Sequence, residues 1–213
     1  MSRFYWLCLF PCLLLSISCK KDSASKQTLT LQPMNNPVEY DVLLFDTADN
    51  SGLTSASIQA FAWTKNGETY TDRGLLKFDL STIPSTATID SANLYLYSNP
   101  QPITGNFVDA NFGTDNSFTI QQVSSAWSPS TISWFNQPQT TTTNQIVIPS
   151  TAESMLDLNV DVKSMISSMV KNNSNYGFFL KLQNEVTFTC RIFVGSRNTA
   201  YPDKHPKLVV VYH

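Results

Sequence analysis

Apolar and polar positions alternate with a period of two through most of this chain, the spacing of strands with one greasy face and one wet face. In the segment 73–80, Leu76, Phe78 and Leu80 alternate with Lys77 and Asp79; in 89–97, Leu94 and Leu96 alternate with Asn93, Tyr95 and Tyr97. Ile83-Pro84 stops the first of these, because proline cannot donate to a ladder, and a Ser/Thr-rich turn precedes the second. The same pattern predicts strands at 40–45, 58–63, 73–80, 89–97, 117–123, 145–148, 155–160, 177–183, 186–194 and 207–212. About ten short strands suit an all-β fold, a two-sheet antiparallel β-sandwich of jelly-roll type. In 186–194 the apolar row is Val186, Phe188, Cys190, Ile192 and Val194, which turns Arg191 and Phe193 outward. A single helix is expected, since Val162, Met165, Ile166, Met169 and Val170 recur at helical spacing between an Asp161 N-cap and an Asn172-Asn173 stop. The TTTT run inside 137–144 reads as an exposed loop.

Composition supports many strands with polar outer faces: the chain holds 25 serines and 22 threonines, with 14% charged and 12% aromatic residues. A net charge of −2 argues against general nucleic-acid binding, which needs a concentrated positive face. The N-terminus reads as an export signal over 1–18, with Arg3 before an apolar stretch from Phe4 to Leu15. Leu15-Ser16-Ile17-Ser18-Cys19 resembles a bacterial lipobox, which would make Cys19 a lipidated mature N-terminus; an ordinary secretory signal with an incidental cysteine is the alternative. A polar tether is expected over 19–37 and the folded module over 38–213. The protein is then expected at the cell envelope as an outer-membrane or surface lipoprotein, held through its lipid anchor. Removal of Cys8 and Cys12 with the signal leaves Cys190 without a disulfide partner, as a small buried hydrophobe.

Six segments in order carry a resemblance. They are Arg73 with LLKFDLSTIP after one glycine, ATIDSANLYLY, WSPSTISWFNQP from Trp127 to Pro138, the Asp-Val start of the helix, NYGFFLKL at 175–182, and the terminal HPKLVVVY. Together they resemble the DNRLRE (disaggregatase-related) domain family, grouped with carbohydrate-binding modules of polysaccharide-active proteins. The resemblance implies a jelly-roll sandwich serving as a non-catalytic accessory module that binds polysaccharide, uronate-containing glycans among the candidates. A structural or adhesive envelope protein, contacting neighbouring envelope proteins through the same sandwich, is the competing reading.

Sugar binders offer aromatic rings for stacking beside planar or charged donors, and uronates favour Arg and Lys. Alternation sends Arg73 and Lys77, Tyr95 and Tyr97, Phe179, Lys181 and Gln183, and Arg191 and Phe193 to the outer side of their strands. If those strands share a sheet, they form one cationic and aromatic platform; the same residues also occur in sandwiches as cross-strand pairs without a ligand. Trp63, beside Lys65-Asn66-Gly67, is expected near a hairpin tip with an exposed ring, whereas Trp127 and Trp134 read as core or loop anchors.

No catalytic residues are expected: the chain lacks H-E-x-x-H, G-x-S-x-G, G-x-G-x-x-G and a Walker loop, and its only histidines, His205 and His213, lie near the C-terminus. No metal or cofactor is assigned. A structural calcium ion is weighed at Asp41, Asp46 and Asp49, whose spacing does not match an EF-hand loop.

Overall fold

The computed structural model describes residues 25–33, 55–102 and 109–213 in full and the backbone of 40–45. The expected signal, Cys19, Asp46 and Asp49 lie outside the described residues.

Strands β1 (Gln27–Leu31), β12 (Lys207–Tyr212), β5 (Ile89–Leu96) and β9 (Leu158–Asp161) form a four-stranded antiparallel sheet in that order. The larger sheet runs β6 (Asn111–Phe112), β11 (Thr189–Val194), β3 (Ser57–Lys65), β4 (Glu68–Lys77), β10 (Phe178–Leu182), β7 (Phe118–Val123), β8 (Thr140–Ile148), with β2 (Tyr40–Phe45) also paired to β4. All pairings are antiparallel among the described residues, so the sandwich expected from the alternation is the fold.

The main core lies between the sheets. Leu76 and Phe78 meet Phe178, Leu180 and Leu182 from the larger sheet, and Ala92, Leu94, Leu96, Leu208 and Val210 face them from the smaller one. The helix α1 (Lys163–Lys171) adds Met165, Ile166, Met169 and Val170 to the same cluster, as its spacing predicts. It starts at Lys163, whose amide donates to Asp161 Oδ1 at 2.8 Å, so the aspartate satisfies a first-turn donor from two residues upstream. The β3–β4 hairpin turns at Asn66 and Gly67, both at positive φ (56° and 88°), the backbone that an Asn-Gly pair adopts without penalty.

Three expectations are overturned. The segment 19–37 is not all tether: Gln27 to Leu31 pairs in full register with Tyr212 to Leu208, because Leu29 and Leu31 pack against the core. Beyond β1, His205 fixes the chain, its Nδ1 lying 2.6 Å from Pro33 O and its Nε2 2.8 Å from Asn198 O. The TTTT run is strand, the first half of β8, paired at Thr140 and Thr141 with Val123 and Gln122; β-branched threonines fit an extended edge. The inside and outside of β11 are exchanged. Phe193 joins the main core and Arg191 lies over Phe118, whereas Cys190 and Ile192 face away from the core into a separate cluster with Phe61 and Ala110. Both faces of β11 are covered, so alternation alone cannot assign its inner side.

Candidate functional site

Around β4, β10 and β7 the outer face of the larger sheet is covered. Leu75, Val123 and Phe179 form a second apolar cluster there, roofed by Ile132 and the rings of Trp127 and Trp134 from the connection between β7 and β8. Trp127 Nε1 donates to Tyr176 O at 2.7 Å. Arg73 clamps the other end of the roof. Its Nε and Nη2 donate to the two carboxylate oxygens of Glu185 at 2.6 and 2.8 Å, its Nη1 donates to Gln137 Oε1 at 2.9 Å, and its Cζ stands 4.3 Å from the Trp134 ring centre. A guanidinium held by a bidentate carboxylate, an amide and a ring has three of its five N–H donors committed to the fold. Trp127 and Trp134 are loop anchors, as their segment suggests. The same roof buries Phe179 and removes it from any binding platform, although it does face outward.

The other expected residues of this sheet also separate. Arg191 is 0% exposed, and burial lowers its pKa to about 10. Only Nη1 donates, to Pro149 O at 3.2 Å, with Nε and Nη2 unpartnered and Cζ 5.2 Å from the Phe118 ring. With Phe193 it points between the sheets, so neither residue offers a surface contact. Lys181 stays on the outer face of β10 and is half-buried; Gln183 follows that strand and is exposed; Lys77 borders a cleft beside the helix. Trp63 is not a free ring at a tip. It meets Phe188 edge-on at 4.6 Å, Phe112 at 5.6 Å and Phe61 at 6.2 Å, and the well-exposed rings are Phe112 and Phe188. Phe188 has φ 68°, a strained value for a bulky side chain, and sets its ring against Trp63. Phe135, 75% exposed in the short 3-10 turn Trp134–Asn136, is a further ring that strand periodicity does not single out.

The smaller sheet presents a different outer face. Its register puts Tyr95 directly opposite Lys207 on β12 and Asn159 on β9. Lys207 Nζ stands 4.6 Å from the Tyr95 ring centre and 5.8 Å from that of Tyr97, so one ammonium is shared by two rings. Tyr95, Tyr97 and Lys207 are half-buried and Asn159 is exposed. The rings, the cation and the amide occupy one side of adjacent antiparallel strands, the arrangement that stacks on a flat sugar while hydrogen-bonding its rim. The expected tyrosines are therefore together, on a different sheet from Arg73, Lys77, Phe179, Lys181, Arg191 and Phe193. Sequence reasoning missed Lys207, which stands directly after His205-Pro206 in an otherwise apolar terminal strand; that lone charge was the available signal.

The profile of carbohydrate-binding module family 96 matches residues 47–212, most of the chain. The chain belongs to carbohydrate-binding module family 96. The match bears out the expectation of a carbohydrate-binding module, a class that is typically non-catalytic. No curated protein matches the chain significantly. Cys190, the cysteine among the described residues, is buried, and desolvation pushes its pKa up to about 12, which keeps its thiol protonated. Among the described residues, no group of three or more His, Cys, Asp or Glu side chains is placed to hold a metal ion.

Proposed function

We propose that this protein binds an acidic, uronate-bearing polysaccharide on the outer face of its smaller sheet, without turning it over. The observation that carries the reading is the Lys207 ammonium held against the rings of Tyr95 and Tyr97. The rings would stack on the weakly apolar sugar faces while Lys207 meets a carboxylate and Asn159 a hydroxyl. Cys19, as a lipidated residue, would hold the module at the cell envelope, where it would present glycan to neighbouring proteins.

The test is a glycan array read with the full-length chain and with a Tyr95→Ala/Tyr97→Ala variant. Uronate-containing glycans should bind, and the variant should lose at least about tenfold in affinity, the ~1.4 kcal/mol expected when a stacking pair is removed. Retention of binding by the variant would reject the tyrosine face. Labelling with radioactive palmitate, lost on Cys19→Ser, tests the anchor separately. A protein-contact role has one observation in its favour, the exposed apolar side chains of Val186 and Phe188. Silence across the array would move the reading there.

A further inference from the structure

A cleft of about 560 Å³ lies between the end of α1 and the chain leaving β4, within the roughly 300–1,000 Å³ typical of small-molecule sites. We propose that this cleft is a second saccharide site that holds a single neutral pyranose unit. The proposal shares the family's ligand class but does not depend on the tyrosine face.

The floor is apolar, made by Leu80, Ile83, Met169 and Val170, all members of the main core. The rim carries Lys77, Asp79, Asn173 and Tyr176. One cation and one anion balance each other there, and among the described residues neither Lys77 nor Asp79 makes an ion pair. Both charged groups remain available to hydroxyls. A carboxylate accepts from sugar hydroxyls, an ammonium donates to them, and an amide does both. A neutral pyranose offers the complement, an apolar ring face over a hydroxylated edge. With Lys77 and Asp79 balanced, the rim gives a uronate no net attraction, whereas the tyrosine face carries Lys207 at its centre; the two sites thus differ in the charge they favour.

The walls are already fixed. Asp79 Oδ1 accepts from the Ser81 amide at 2.9 Å, which orients the carboxylate, and Asn175 Nδ2 donates to Phe78 O at 2.7 Å across the cleft's back wall. Gly177, at φ 88°, lets the wall approach β4 so closely that a Cβ there would lie 2.3 Å from Leu76 O. Asn173 ends the helix in the left-handed region at φ 49°, its amide bonded to Val170 O at 3.2 Å. A cleft held this way need not be ordered by its ligand, which suits the weak, polar contacts of one sugar.

The experiment is an NMR titration of the 15N-labelled full-length chain with methyl β-glucopyranoside, methyl β-galactopyranoside, methyl α-mannopyranoside and sodium glucuronate. Saturable shifts of Asn173, Asn175 and Tyr176 with at least one neutral glycoside, and weaker or no shifts with glucuronate, are expected. Asn173→Gly keeps the left-handed backbone, and Asp79→Asn keeps an acceptor for Ser81. Each should weaken the neutral glycoside by about tenfold, a 1.4 kcal/mol effect, while Tyr95→Ala/Tyr97→Ala leaves it unchanged. No saturable cleft shift with any neutral glycoside, equal or tighter binding of glucuronate there, or shifts confined to Tyr95 and Tyr97 would overturn the proposal. Because the readout is resolved by residue, failure of the cleft and failure of the tyrosine face are separate outcomes.

Discussion

The two outer faces of the sandwich carry the same kinds of side chain and use them differently. On the larger sheet, Arg73 lies against Trp134 and Phe179 lies under Trp127 and Ile132, so cation and rings hold a loop down. On the smaller sheet, Lys207 lies against Tyr95 and Tyr97 with no described loop above them. The difference comes from what connects the strands. The link from β7 to β8 spans residues 124–139 and folds back over its sheet, placing two tryptophans where a ligand would otherwise stack. A cation beside an aromatic ring is therefore a poor marker of a binding face until the connection above it is known.

The sharpest way to break this comparison is to remove a ring from each face. Trp127→Ala should cost roughly 2–4 kcal/mol, since it opens the roof over Phe179 and removes the bond to Tyr176, and thermal unfolding should show a drop of order 8 °C. Its glycan affinity should stay at the parent value, the reverse of the Tyr95→Ala/Tyr97→Ala variant. Equal losses of binding in both would erase the distinction between the faces.

Arg191 gives the next effect. Each pKa unit is worth ~1.4 kcal/mol, so a guanidinium lowered from 12.5 to about 10 by burial costs the fold on the order of 3 kcal/mol. Arg191→Met keeps the volume and discards the charge; with about 2 kcal/mol lost again through the Pro149 bond and the Phe118 contact, the net gain of roughly 1 kcal/mol should raise the melting temperature by about 2–4 °C, with glycan binding untouched. A fall in stability would mean that the buried cation contributes more than it costs.

Lys207→Met is a smaller test, with stability nearly unchanged. Isothermal titration should show about a tenfold loss for a uronate oligosaccharide and much less for its neutral counterpart, and the parent's preference should fade with added salt. A preference that survives high salt would assign the discrimination to another residue.

The smallest effect is on pH. Asp90, in the smaller sheet, has its carboxyl held below the usual value chiefly by the hydrogen bond from His213, and Asp115, beside the larger sheet, chiefly by that from Asn184. A lowered carboxyl stabilises the folded state above the unfolded value of 3.8, and that contribution disappears as pH falls through the folded value. Melting temperatures recorded downward from pH 5 should therefore decline below about pH 4, and Asn184→Ala should shallow the decline. An identical profile in the variant would leave Asp115 without a part in acid stability.

Much of the architecture was legible because period-two alternation has one physical meaning wherever one face is wet. In β4, β5 and the helix, the apolar rows read from sequence are the rows that meet in the core. Tyr95 and Tyr97 were legible for the same reason, since their neighbours Leu94 and Leu96 must point inward. Legibility ended where a strand is covered twice. In β11 every residue is buried, the period no longer separates inside from outside, and Arg191 and Phe193 were assigned to the wrong face.

Local alternation was enough for most of the strands, the helix and, strand by strand, the inner row wherever the opposite face stays in water; β1, β6 and the threonine half of β8 escaped it. Only the tertiary structure decided which strands share a sheet, because pairing partners lie far apart in the chain and local alternation carries no information about them: Tyr95 meets Lys207 across 112 residues, and Gln27 meets Tyr212 across the length of the fold. It also decided that the outer face around β4, β10 and β7 lies under the 124–139 connection, since a loop's landing place depends on the packing of both its ends.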